Sequence, residues 1–459
     1  MNAFEIKGFW WFPEKSGRKY AGTLNYSPKE GAELQISEII ESNKDFPGLL
    51  RIPVLFGIDT LGRRITVFDL FNKESVSGFS GITLKTYQVI LIIIGDYLLD
   101  FDTVPLDMLS FRVTYLEQWL QITGFETSIQ WLKSGDSNIL QEASIKYKQT
   151  LPINVNISDE LSLEIKHSAN MPYGLFHEYT LSEKATVIIR AGMATYFKNL
   201  ISYANRFADL ISLVTNKIVH ICYIGAYSPK SVTQYSDGNI IKNHLEIYFE
   251  LPYTFEREKY LHDSNVIIKY KEIRHEFRDI LKIWFQQYER FGPTLRLYFF
   301  TFNNPRENLE NKFLNLCNTL ESFHRIKYEG KYESDECFHN GLYKIFKTVI
   351  PDTISKDYHE SIINKLYYLN EYSLRKRLKY LLNEFKGCLI YTHVSEKIFV
   401  NHVVDTRNYM VHMDKKLKNK SLQGEDLFLY IKDLDRLVRA CFITLLNFNS
   451  KQAIKMLGS

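Results

Sequence analysis

Residues 403 to 416 read VVDTRNYMVHMDKK, and three side chains in this stretch, Arg407, Asn408 and His412, have types suited to phosphate chemistry. An imidazole with an ordinary pKa of about 6.5 moves protons near neutral pH. A guanidinium grips a phosphate with two parallel hydrogen bonds and stabilises charge that develops in a transition state. Asn408 would orient either the phosphate or the imidazole. This set suits cleavage of RNA, where the ribose 2′-hydroxyl is an internal nucleophile and no metal is required. The expected ends are a 2′,3′-cyclic phosphate and a 5′-hydroxyl. The spacing alone leaves a structural role open, with Arg407 paired to Asp405 or Asp414 and His412 satisfied in the interior. A second Arg and His at this spacing, Arg257 and His262 in REKYLH, is read as coincidence, since Glu258 would compete for the guanidinium.

The elements that must position these groups come next. Asp405 and Thr406 are competent N-caps, and Phe399, Val400, Val403 and Val404 read as the end of an earlier segment, so a helix is expected to begin near Arg407. A cation in a first helical turn is unfavourable by a few tenths to about 1 kcal/mol, whereas the free N–H groups there attract phosphate. An anion brought to that end would reconcile the two. Five residues at about 100° each place Arg407 and His412 roughly 140° apart on a helix. Either Arg407 reaches back from a frayed turn, or two copies of the segment face each other and share a site. Two basic runs, KKLKNK at 415 to 420 and RKRLK at 375 to 379, are solvated faces by default. If they flank the site, both would supply phosphate attraction, with Lys415, Lys416 and Lys418 as the RNA-binding candidates. Glu321 and His324 in LESFHR, three apart, are expected to share a structural hydrogen bond.

Period-two alternation in GTLNY (22 to 26), AELQI (32 to 36), RIPVLF (51 to 56) and RITVFDL (64 to 70) predicts hairpins. The runs at 185 to 197 and 245 to 253 mix strand and helix signals, so the first 255 residues read as β-rich. From about 265 the period becomes helical, and stretches at 358 to 386, 388 to 403, 405 to 415 and 425 to 447 predict a bundle. The loop at 302 to 308 serves as the boundary, giving domains 1–300 and 301–459 and an α+β class. The 57 Lys and Arg nearly balance 53 Asp and Glu, so any nucleic-acid affinity must come from local patches. Five scattered cysteines with no CxxC pair indicate neither a disulfide framework nor zinc, and a reducing cytoplasm fits them. HExxH, a phosphate loop and a GxSxG elbow are all missing, so no metal and no cofactor are expected. No signal peptide or membrane span is read, the longest aliphatic run being VILIII at 89 to 94.

The RNYMVH segment, with LNLCNTLESFHR about 90 residues upstream, resembles the HEPN superfamily, whose ribonucleases carry Arg, a polar residue often Asn, three residues and His. The opening FEIKGFWWFPEKSGRKYAGTLNYSPKEGAELQI is similar to the start of ApeA-like proteins, bacterial abortive-infection factors that join a β-rich domain to a C-terminal HEPN domain. The resemblance places the motif on Arg407, Asn408 and His412. It implies a homodimer in which two motifs meet in one cleft, a metal-independent endoribonuclease acting on host or phage RNA with tRNA as the candidate substrate, and a phage-derived trigger acting on the N-terminal domain. The competing reading is a HEPN dimerisation platform without catalysis, whose β domain binds a ligand or partner through aromatics such as Trp10, Trp11 and Phe12. Core packing is the ordinary fate of that aromatic run.

Overall fold

The computed structural model describes residues 3–39, 51–77, 82–134, 137–170, 180–250, 260–351 and 353–458. It is an α+β chain of two compact units, Met1–Lys282 and Ile283–Ser459. The division falls ahead of the 300/301 boundary read from the sequence, inside a long helix. Arg257 of the REKYLH pair lies outside the described residues.

Six strands of the first unit form a closed antiparallel barrel: β1 (Phe4–Trp11), β2 (Tyr20–Ser27), β3 (Gly31–Ile39), β4 (Arg51–Asp59), β5 (Arg64–Ser77) and β6 (Ile82–Ile94). Their order is β6-β3-β2-β1-β4-β5, and β5 returns to β6 to close the ring. Alternation turns Leu24, Tyr26, Leu34, Ile36, Ile65 and Val67 inward. Trp10 is fully buried among them, and the bare backbones of Gly22 and Gly57 make room for its indole; a Cβ on Gly57 would lie 2.4 Å from the ring. Trp11 is buried as well. These tryptophans are core, which removes much of the case for an aromatic binding surface there.

The remaining strands are β7 (Leu106–Val113), β8 (Phe125–Ser134), β9 (Ser137–Tyr147), β10 (Ile153–Ser158), β11 (Leu161–Asn170), β12 (Ser182–Thr195), β13 (Ile221–Gln234) and β14 (Ile240–Phe249). All but the β8–β9 ribbon continue the sheet from β6, through β14, β13, β7, β12 and β11 to β10. β6 therefore serves both structures: beyond the end of β3 its last residues pair with β14, Ile94 opposite Glu246. Gly95, with φ of 136°, permits that approach, since a Cβ there would lie 2.1 Å from the His244 carbonyl oxygen. Helix α1 (Leu116–Leu120) is short, while α2 (Phe197–Thr215) packs Phe207 edge-on against Phe111 of β7 at 5.8 Å. The mixed signal at 185 to 197 is thus a strand followed directly by a helix.

The second unit is helical. After α3 (Tyr270–Ile273), helix α4 (Phe277–Phe302) begins in the first unit and runs through the break into the second. It is followed by α5 (Leu309–Tyr328), α6 (Asp335–Phe338), α7 (Lys344–Val349), α8 (Lys356–Tyr367), α9 (Leu374–Glu384), α10 (Glu396–His412), α11 (Gly424–Thr444) and α12 (Ser450–Met456). Phe291 of α4, Phe323 of α5 and Phe442 of α11 meet at centroid distances of 5.6 and 6.2 Å in the centre of the bundle. Arg439 of α11 binds Asp435 at 2.7 Å and Tyr298 of α4 at 3.0 Å, a buried tie between two helices.

Candidate active site

Helix α10 carries the motif, and it starts eleven residues before Arg407 rather than at it. Ser395 caps it by accepting from the Ile398 N–H, and Glu396 sits favourably in the first turn. Phe399, Val400, Val403 and Val404 recur at helical spacing and are buried as one stripe; they do not end a separate segment. The stretch 388 to 395, expected as helix, is a loop held by the fully buried Asp433 of α11. That carboxylate accepts from the N–H groups of Ile390, Tyr391 and Thr392 at 2.9 to 3.0 Å and from the Thr392 hydroxyl at 2.7 Å. Phe399 then stacks on Tyr430 of α11 at 4.9 Å, and the His402 ring meets the Tyr430 hydroxyl at 2.7 Å. Thr406 does not cap: its hydroxyl accepts from the Leu422 N–H at 2.9 Å and ties back the chain that follows the helix.

Arg407 and His412 consequently lie in the last turns of α10, His412 being its final residue. Cations there complement the negative end of the macrodipole, so the argument from an unfavourable helix start falls away. The phosphate-attracting helix start exists, but on another helix. Val404, Arg407 and Asn408 of α10 line a cleft of about 340 Å³ together with Glu321 of α5 and Ser373, Leu374 and Arg375 from the first turn of α9. Ser373 caps α9. Arg407 is half-buried, donates to the side-chain amide oxygen Oδ1 of Asn408 at 3.2 Å, and has no ion pair among the described residues. Its expected competitors are engaged elsewhere: Asp405 faces Arg375 at 3.5 Å, and Asp414 accepts from the Lys416 N–H.

His412 is exposed and is absent from the lining of the cleft that Arg407 lines. Asn408, four residues before it, shares its helix face. Lys415, Lys416 and Lys418 are exposed on the short 3₁₀ turn Lys415–Lys420 that follows. The other basic run is no solvated face. Arg377 is fully buried, donating to the carbonyls of Tyr372 and Glu329 and lying 3.1 Å from His324 Nδ1. Burial first, then the neighbouring Arg377, pushes His324 down to about 4. His324 therefore pairs with Arg377, while Glu321 faces Arg325 at 3.5 Å, and Arg325 reaches Glu371 at 2.7 Å.

Glu321, Ser373, Leu374 and Val404 also line the cleft, and none of them was read as part of the site from the sequence. Arg375 belongs to the basic run read as a possible flank, and Ser373 just before Leu374 is a cap signal that marks a helix start. Among the described residues no group of three or more His, Cys, Asp and Glu side chains is placed to hold a metal ion. All five cysteines are free.

A β-barrel and sheet unit followed by a helical bundle that carries Arg-Asn-x3-His on a late helix defines a two-part HEPN protein. Residues 5–284 match the family described as ApeA N-terminal domain 1, and residues 314–452 match the Apea-like HEPN family. The chain belongs to the ApeA family, whose members are abortive-infection effectors with a C-terminal HEPN domain. No curated protein and no solved structure matches it. Among the described residues no helix is long and apolar enough to cross a membrane.

Proposed function

We propose that the chain is a metal-independent endoribonuclease that arrests phage-infected cells by cutting RNA in the cytoplasm, with tRNA the first substrate to test. The observation that carries this reading is Arg407, unpaired by any carboxylate among the described residues, at the edge of an open cleft beside the first turn of α9. A purely structural arginine would have been expected to find an acid partner. In the proposed reaction Arg407 holds the scissile phosphate and stabilises its developing charge, helped by the N–H groups at the start of α9. His412 takes the 2′-hydroxyl proton or supplies one to the 5′-oxygen leaving group. Asn408, which bonds Arg407 and shares a face with His412, orients both, and Lys415, Lys416 and Lys418 hold the flanking backbone.

His412 is exposed and does not line the cleft of its own chain, so in this reading the site is completed in a homodimer, with the imidazole of one copy meeting the arginine of the other. A phage-derived trigger acting on the N-terminal domain would raise the activity above the basal level that the purified protein shows. The test is incubation of the purified protein with total bacterial RNA in EDTA, followed by end-group analysis. Wild type should give cyclic-phosphate ends, and His412→Ala and Arg407→Ala should each lower the rate by about 10²-fold or more while remaining folded. Undiminished cleavage by both variants would sink the proposal.

A further inference from the structure

Where β6 leaves the barrel for the second sheet, the first unit has a polar cavity of about 350 Å³. Arg63 and Arg64 line one side, His244, Glu246 and Thr233 the other, and the Gly95 backbone lies between them. The two guanidiniums are held from behind. Asp59, almost wholly buried, takes Arg63 Nε at 2.6 Å, and Asp96 takes one Arg64 N–H at 3.1 Å, so each arginine keeps further N–H groups for the cavity. Asp96 is itself fixed by the hydroxyl of Ser231 and the amide of Asn243.

Behind the opposite wall runs a chain of polar side chains, hydrogen-bonded at its two ends. Tyr223 meets His244 Nε2 at 2.9 Å, His244 Nδ1 lies 3.9 Å from Glu246, and Glu246 accepts from the Tyr248 hydroxyl at 2.7 Å. Gly225 makes space for this chain, since a Cβ there would lie 2.4 Å from His244 Nε2 and 2.6 Å from the Tyr223 oxygen. Burial keeps His244 on the neutral side of its ordinary range. A strand core gains nothing in packing from such a row of polar groups, and their convergence on a cavity of ligand size is the mark of a binding site.

We propose that this cavity binds a mononucleotide: its phosphate on Arg63 and Arg64, and a hydroxyl or amino donor of the sugar or base on Glu246. The ligand must carry both a compact anion and a hydrogen-bond donor, because the cavity offers two forks of donors on one side and a carboxylate acceptor on the other. A volume of about 350 Å³ is of the size that holds one nucleotide.

The test is calorimetric titration of the full chain in the Arg407→Ala background, which removes the phosphate grip of the helical cleft. The ligands are the 5′-nucleoside monophosphates, the matching nucleosides and inorganic phosphate. At least one monophosphate should bind, at least tenfold more tightly than its nucleoside or phosphate. Arg63→Gln and Glu246→Gln should each weaken it at least tenfold in protein that remains folded by circular dichroism. Absence of binding by every monophosphate, equal affinity for phosphate alone, or affinity untouched by both substitutions would overturn the assignment. Because the Arg407→Ala background is already inactive under the proposed nuclease mechanism, this result and that of the cleavage assay stand independently.

Discussion

His324 and Arg377 share one fully buried corner behind the cleft, and the arginine stays charged while the histidine does not. The folded pKa of His324, about 4, lies below the unfolded value of about 6.5, so between those values the unfolded chain binds more protons. The stability this contributes is complete above about pH 6.5 and is lost as pH falls toward 4, a difference on the order of 3 kcal/mol. Urea midpoints at pH 7 and pH 5 should drop more for wild type than for His324→Gln; equal slopes would refute the assignment. At the motif, Arg407→Lys should recover less than a tenth of wild-type cleavage, because a point charge replaces a planar fork. The residue types of the motif were legible in the sequence, but not their setting: Arg407, Asn408 and His412 lie in the last turns of α10 rather than at a helix start. The burial of Arg377 was legible too, since Leu374, Leu378 and Leu381 put position 377 on the apolar face of α9, but the adjoining charges masked it.

At the scale of elements, two capping signals competed for α10. Asp405-Thr406 looks like a helix start when read locally, and Ser395-Glu396 is the true one. What decides between them is tertiary: the Phe399, Val400, Val403 and Val404 stripe is buried as one face of a continuous helix that packs on α9 and α5, and Asp433 fixes the loop before it. Removing that clamp strands three N–H groups. Asp433→Ala should destabilise the bundle by about 3 kcal/mol and blunt cleavage by loosening α10, as read by urea unfolding and the RNA assay. In the barrel, Trp10→Ala should cost about 4 kcal/mol, because Gly22 and Gly57 cannot move in to fill the space. The hairpins were readable from period-two alternation, as in β2 and β3. The closure of β5 onto β6 was not, since nothing local in either strand encodes which distant edge it will meet.

For the whole molecule, the proposed nuclease makes a prediction that no single-chain reading shares. If Arg407 of one copy works with His412 of another, mixing inactive Arg407→Ala and inactive His412→Ala chains restores one complete site in each mixed dimer. Half of the dimers with one of two sites intact gives about a quarter of wild-type activity. Persistent inactivity of exchanged mixtures would confine both residues to one chain's site. The N-terminal unit carries its own large-scale signature in β6, which is at once a stave of the barrel and the root of the second sheet. Neither sheet can release its half of that strand while the other stays intact. The amides of β6 should therefore exchange with solvent only by opening the entire unit, and barrel and sheet should melt as one kinetic species, so that a lesion at one end of the first 282 residues is felt as lost protection at the other.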